Sequence, residues 1–271
     1  MDELIFLKLG GSLLTDKLGE ESLRAAVLTR LAGEIRSARE ERPGLRLVIG
    51  HGSGSFGHVA AARHNTQDGV VSPPGWRGFA HVSDAAARLN RTVCAALLEA
   101  GVPALSLQPS ASARCVDGAL TKMASAPVRL ALAGGLVPLL YGDVAFDTVR
   151  GGTIISTESV LGYLAGILQP SWLLLAGDTP GVHDQAGEVV PRVTRANRDR
   201  FAAALAGSRG TDVTGGMAGK VDAMLDLTAA NPGLTARIFS GLEEGRLRHA
   251  LLRPGEGPGT TIRAAGGHAP K

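Results

Sequence analysis

Three lysines stand beside glycine-rich segments. Lys8 precedes Gly10, Gly11 and Ser12 in "KLGGS", Lys17 follows in "LLTDK", and Lys220 closes "TDVTGGMAGK", residues 211–220. A further loop, "HGSGSFGH" (His51 to His58), carries Gly52, Ser53, Gly54 and Gly57 and ends in a histidine. Glycine has no Cβ, so backbone N–H groups in such turns can approach phosphate oxygens closely. Phosphoryl transfer asks a protein for little covalent chemistry. It needs positive charge on the transferring oxygens and alignment of donor with acceptor. Lysines next to glycine turns supply both. Lys17 taken alone reads more readily as a solvated surface lysine. Lys8 is different, because it sits inside an apolar run and a buried lysine needs a partner.

Standard templates fit poorly. Gly52-x-Gly54-x-x-Gly57 has the spacing of a dinucleotide-binding turn. That reading requires an acid at the end of the next strand, about 20 residues on. The region holds Asp68 but no convincing strand. "TGGMAGKV" approaches a phosphate-binding P-loop, but Thr214 stands where its first glycine should be and Val221 follows the lysine. Neither Ser53 nor Ser55 has a glycine two residues before it, which removes a nucleophile elbow.

These segments need a scaffold. Apolar runs at 4–10, 45–50, 103–107, 136–142, 153–156, 172–177, 236–241 and 259–263 read as strands. Helical spacing marks 20–41, 79–100 and a helix around 157–168. The alternation predicts an α/β fold, an open αβα sandwich on a mostly parallel sheet. Such sheets place ligand sites at the carboxyl ends of their strands. Residues 64–78, with "SPPGWRG", read as a long loop, and 205–216 as a flexible junction. Asp143 and Asp147 in "GDVAFD" read as flanking a turn. His51 reads as structural. Trp76 and Phe79 either line an apolar pocket or pack their loop down, and the small residues Ala85 to Ala87 leave room for a short chain.

The chain has 271 residues, 44% hydrophobic and 20% charged, a globular balance that suits one large domain. Its net charge of +3 comes without a basic stripe interleaved with stacking aromatics, so nucleic acid is not the expected partner. Two cysteines, Cys94 and Cys115, with no CxxC, fit a reducing cytoplasm and argue against a zinc ribbon. The first residues lack a basic n-region, so no signal peptide is expected, and no apolar run reaches the ~18 residues of a membrane span.

In their order along the chain, the motifs resemble the amino-acid kinase superfamily, and within it isopentenyl phosphate kinases. "KLGGSLLTDK" (8–17) is similar to the opening Lys-x-Gly-Gly-Ser motif, and "HGSGSFGH" to an acceptor-phosphate loop ending in histidine. Residues 78–109, "YGDVAFD" (141–147), "IIST" (154–157), "AGDTPGV" (176–182) and "DVTGGMAGK" (212–220) follow in family order. The resemblance implies one kinase domain over 1–264, with an acceptor lobe to about 150, a nucleotide lobe over 151–264, and a tail at 265–271. It implies transfer of the ATP γ-phosphoryl to isopentenyl phosphate with Mg²⁺, by a cytoplasmic homodimer, with no protein metal site.

The same resemblance assigns roles. Lys8, Lys17 and Lys220 would stabilise the transferring group and the ATP phosphates. His58 would donate to the acceptor phosphate. Gly52, Ser53, Gly54 and Gly57, with Gly142, Asp143 and Ser156, would lie on the acceptor side. Gly10, Gly11, Ser12, Asp178, Gly181 and Gly216 would lie along the nucleotide. Glu158 would orient the lysines. Two departures stand out: Ser156-Thr157-Glu158 replaces the usual Ser-Gly-Asp, and Gly177-Asp178-Thr179-Pro180-Gly181 replaces Thr-Asp-Val-Asp-Gly. Alternatives are a fosfomycin-type phosphonate kinase or an amino-acid kinase of the same superfamily, a nucleotide-binding sensor or storage protein on the same fold, and, more distantly, a Rossmann oxidoreductase.

Overall fold

A computed structural model describes residues 3–16, 19–64, 69–202 and 216–264. Runs of Leu, Ile, Val and Phe form the central strands: β1 (Leu4–Leu9), β2 (Arg46–His51), β6 (Val137–Tyr141), β9 (Trp172–Gly177) and β11 (Thr235–Ser240). With β3 (Ala104–Ser106), β10 (Arg192–Val193) and β12 (Thr260–Ile262), they make an eight-stranded sheet in the order β10-β12-β11-β9-β1-β2-β6-β3. Every neighbouring pair is parallel except β11 with β12.

Side chains alternate across β1 and its neighbours, and both faces are buried, as a parallel sheet requires. On one face Ile5, Leu7, Leu9, Leu47 and Ile49 pack under helices α2 (Ala25–Glu41), α4 (Pro73–Glu99) and α8 (Arg246–Leu252). On the other, Leu4, Phe6, Val48, Leu173 and Leu175 pack under α6 (Thr157–Leu168) and α7 (Gly216–Ala230). The expected αβα sandwich is therefore present. Lys8 belongs to the second face by its register in β1, and points its chain toward α6.

Three expectations need correction. Residues 73–78 are helical, not loop. Ser72 caps α4 by accepting from the Gly75 N–H at 3.3 Å, and Pro73 occupies the first turn, where its missing N–H costs nothing. The helix foreseen from residue 20 begins only at Ala25, because Glu21 holds a left-handed φ of 50° in the preceding turn. Asp143–Asp147 is a strand, β7. It belongs to a second sheet, ordered β5-β4-β7-β8, with β4 (Arg114–Val116), β5 (Ala119–Lys122) and β8 (Gly151–Ile155). Asp147 does cap turns at the end of that strand, accepting N–H bonds from Asp117, Gly118, Val149 and Arg150. These four bonds hold its carboxyl below the usual range against the opposing effect of burial. The junction at 205–216, apart from Gly216, and the tail at 265–271 lie outside the described residues.

Candidate active site

The glycine segments converge at the carboxyl ends of the parallel strands. "KLGGS" leaves β1 into α1 (Gly11–Leu14), and "HGSGSFGH" leaves β2 into α3 (Gly54–His64). Gly10 donates its N–H to the Ala176 carbonyl of β9 at 2.8 Å, and Gly52 donates to the Leu9 carbonyl at 3.0 Å. The two loops touch backbone to backbone. A Cβ on Gly11 would stand 2.6 Å from the Gly54 nitrogen and 2.7 Å from its Cα, and a Cβ on Gly52 would stand 2.8 Å from the Gly11 nitrogen. Gly54 adopts φ of +50°, and a Cβ there would collide with the Thr15 hydroxyl. Two glycine turns thus share one junction that no side chain could enter.

Ser53 has a physical reason. Its Cβ lies 2.5 Å from where a Cβ on Gly57 would be, so the first turn of α3 closes around the serine only because position 57 is bare. Ser53 also accepts the Gly57 N–H through its carbonyl at 3.2 Å.

Lys8 finds its partner in α6. Its ammonium donates to Glu158 Oε1 at 2.6 Å, with both side chains mostly shielded from solvent. Burial alone would push the Glu158 carboxyl up. The Lys8 charge and hydrogen bond, with the Lys220 charge beyond them, bring it below its ordinary value. The extra methylene of glutamate is accommodated, and Lys8, Glu158 and Lys220 share one field. Ser156 caps α6 by accepting from the Ser159 N–H at 3.0 Å. Thr157 donates to the His51 carbonyl at 2.6 Å, and Gly142 donates to the same carbonyl at 3.3 Å. The start of the second glycine loop is thereby tied to α6 and to the end of β6.

His51 itself is structural. Its Nδ1–H donates to the Gly52 carbonyl at 3.1 Å, Nε2 accepts from the Asn90 amide at 3.1 Å, and the ring stacks on Tyr141. Burial, joined by the nearby Lys8 charge and opposed by the Gly52 hydrogen bond, lowers its pKa to about 4. A histidine lowered in the native state destabilises the fold wherever the unfolded chain binds the extra proton. Stability should therefore fall by about 3 kcal/mol as pH drops from 6.5 to 4. In a His51→Gln variant that slope should flatten, as read by urea unfolding across this pH range. An unchanged slope would remove His51 as the source.

Other expected site residues have defined places. The Asp143 carboxylate accepts from the Ser83 hydroxyl and the Ser110 and Val144 N–H groups, a structural duty that leaves it little freedom toward a ligand. Asp178 follows β9 at the same sheet edge. Gly181 packs where a Cβ would stand 2.7 Å from both Thr260 Oγ1 and Val189 Cγ1. Gly216 opens α7 with φ of 62°. Trp76, Phe79 and Phe146 pack on one another, with ring centroids 5.3–5.9 Å apart. Lys17 lies outside the described residues, and the description of His58 stops at its backbone in α3. Sequence reading missed Thr15, Ser55 and Thr157 as organisers, since no spacing rule marks a hydroxyl that bonds across loops. Among the described residues no group of three or more His, Cys, Asp or Glu side chains could hold a metal ion.

The pattern of the amino acid kinase family matches residues 3–240. The chain belongs to that family. Among amino acid kinases it is similar to isopentenyl phosphate kinases along nearly its whole length. It is 42% identical to the one from Haloferax volcanii over 96% of this chain and 98% of that one. It is 34% identical to the one from Methanothermobacter thermautotrophicus over 92% and 95%. A crystal structure of an isopentenyl phosphate kinase superposes with a TM-score of 0.80 at 30% identity, covering 96% of this chain and 100% of that one. Among the described residues of this amino acid kinase, no helix is long and apolar enough to cross a membrane.

Proposed function

We propose that this kinase transfers the γ-phosphoryl group of ATP to isopentenyl phosphate, giving isopentenyl diphosphate and ADP, a step of isoprenoid biosynthesis. The observation that carries the reading is Lys8, held by Glu158 at the junction of two fused glycine loops. One loop serves each phosphate, and Lys8 lies in β1 just before the first, in register with Gly50 just before the second. Gly10, Gly11 and Ser12, with Asp178, Gly181 and Gly216, face the nucleotide. Gly52, Ser53, Gly54 and Gly57 face the acceptor, with Gly142, Asp143 and Ser156 supporting them. Lys8, Lys17 and Lys220 neutralise charge as it develops on the transferring oxygens. The acceptor is already an anion, so no general base is required. His58 then acts as a hydrogen-bond donor to the acceptor phosphate.

Mg²⁺ enters as part of the ATP substrate. It is a hard cation that keeps most of its ligands as water and phosphate oxygens. A cytoplasmic homodimer belongs to the same reading.

The test is ADP formation with ATP, Mg²⁺ and isopentenyl phosphate, run beside N-acetylglutamate, small amino acids and fosfomycin. Selective turnover of isopentenyl phosphate supports the proposal. Preference for fosfomycin would move the chain to a phosphonate kinase. His58→Ala should reduce kcat/KM for isopentenyl phosphate about 100-fold or more, the scale of one lost donor at a transferring or tetrahedral anion. Near-normal kinetics would remove His58 from the site.

A further inference from the structure

Two buried hydroxyls join the glycine loops, and although both lie inside the quoted motifs, neither was assigned a role there. Thr15 is fully buried and Ser55 nearly so. The Thr15 hydroxyl donates to the Gly11 carbonyl at 2.9 Å and accepts the Ser55 N–H at 2.9 Å. Ser55 Oγ in turn accepts the Ser22 N–H at 3.2 Å. The Thr15 backbone pairs with Leu23, and Asp16 donates its N–H to the Ser22 carbonyl at 2.8 Å. Three segments, 10–16, 52–57 and 22–24, are therefore locked by one short relay. Thr15 stands against Gly54, whose missing Cβ is what admits its hydroxyl.

We propose that Thr15 and Ser55 are positioning residues that set the spacing between the donor-phosphate and acceptor-phosphate loops. The inference rests on the kinase reading above. Both loops are held chiefly by backbone contacts, so the relay between them fixes how far apart two phosphates sit. Transfer requires the reacting atoms within about 3–3.5 Å, and a misplacement near 1 Å can lower the rate about 100-fold. Deleting the Thr15 hydroxyl leaves the Ser55 N–H without its acceptor in a dry contact, while the Gly11 carbonyl keeps only the Thr15 N–H at 2.9 Å. The loops must then shift to find other partners. Each loop still binds its own phosphate, and what is lost is their register.

The test compares Thr15→Val with Thr15→Ser by steady-state kinetics in both substrates, beside thermal unfolding. Thr15→Val should lower kcat about 10- to 100-fold, with both KM values within about threefold, the signature of an interaction made only in the transition state. Thr15→Ser restores the hydroxyl and should recover most of the rate. A lower melting temperature with unchanged kcat per folded molecule would make the relay structural and overturn the proposal. Should Thr15→Val fail to fold, Ser55→Ala keeps the Ser55 N–H bond to Thr15 and cuts only the Ser22 link. Its kcat should fall about threefold or more, and an unchanged value overturns the proposal equally. A wild-type enzyme without isopentenyl phosphate turnover removes the kinase reading itself. An active wild type with an equally active Thr15→Val removes the positioning role alone.

Discussion

Lys8→Met should lower kcat with isopentenyl phosphate by about 100- to 1,000-fold, the range for removing one preorganised donor from a developing anion. Methionine keeps much of the length and apolar stem, so packing in β1 survives. What changes is charge. Glu158 loses its 2.6 Å partner while remaining largely shielded, and a buried carboxylate without a partner destabilises the fold. We expect about 2 kcal/mol, because part of the carboxylate still reaches solvent.

The pH dependence gives the sharper signature. In the wild type the Glu158 carboxyl is held below its ordinary 4.5. Its contribution to stability is complete above that value and is lost as pH falls through the lowered one. In Lys8→Met, burial dominates and raises the carboxyl above 4.5, so acid protonates it in the native state first. The variant should therefore recover stability relative to wild type as pH falls toward 4. Chemical unfolding at pH 7 and pH 4 reads this directly. The Lys8→Met, Glu158→Gln double variant should regain stability at pH 7 without regaining turnover. If the double variant were active, Lys8 would be a structural cation only.

Gly11→Ala should abolish turnover to about 1% of wild type or less. The new Cβ would meet the Gly54 nitrogen and Cα at 2.6 and 2.7 Å, and both are backbone atoms with no rotamer to give way. The only relief is separation of the two loops, which carries donor and acceptor apart. Gly33→Ala is the control. It lies in α2 with nothing within 4 Å of its added Cβ, and alanine is the better helix former, so activity should persist. Equal activity of the two variants, measured as ADP release, would show that the loops are not fused in solution.

The sequence announces the parts of this fold whose burial is complete. β1 and β11 are buried from end to end and β9 up to its last residue, and these runs read as strands without help from context. Lys8 stood out as a charge inside the first of these runs, whereas the buried Arg237 of β11 was passed over. Glu158 was reached only through motif position, because an acid in the first turn of a helix is favoured anyway. Of the second sheet only β8 was legible, from the apolar run at 153–156, while β4, β5 and β7 were not. Its strands are three to five residues long, and β5 is half-exposed or exposed throughout, so neither length nor alternation separates them from loop. "SPPG" misled because proline marks both loops and first helical turns, and only the Ser72 cap decides between them. The contact between Gly11 and Gly54 is invisible to any local rule, since it joins positions 43 residues apart whose only shared property is the absence of a side chain.

Ser53 and Gly57 share a single methyl-sized space in the first turn of α3. Neither residue can therefore drift independently. A glycine at 53 would vacate that space and make alanine at 57 tolerable, whereas alanine at 57 beside the present serine would not fit. Such a pair follows a one-way mutational path, in which position 53 must shrink before position 57 can grow. Any redesign of the acceptor loop inherits that order of steps.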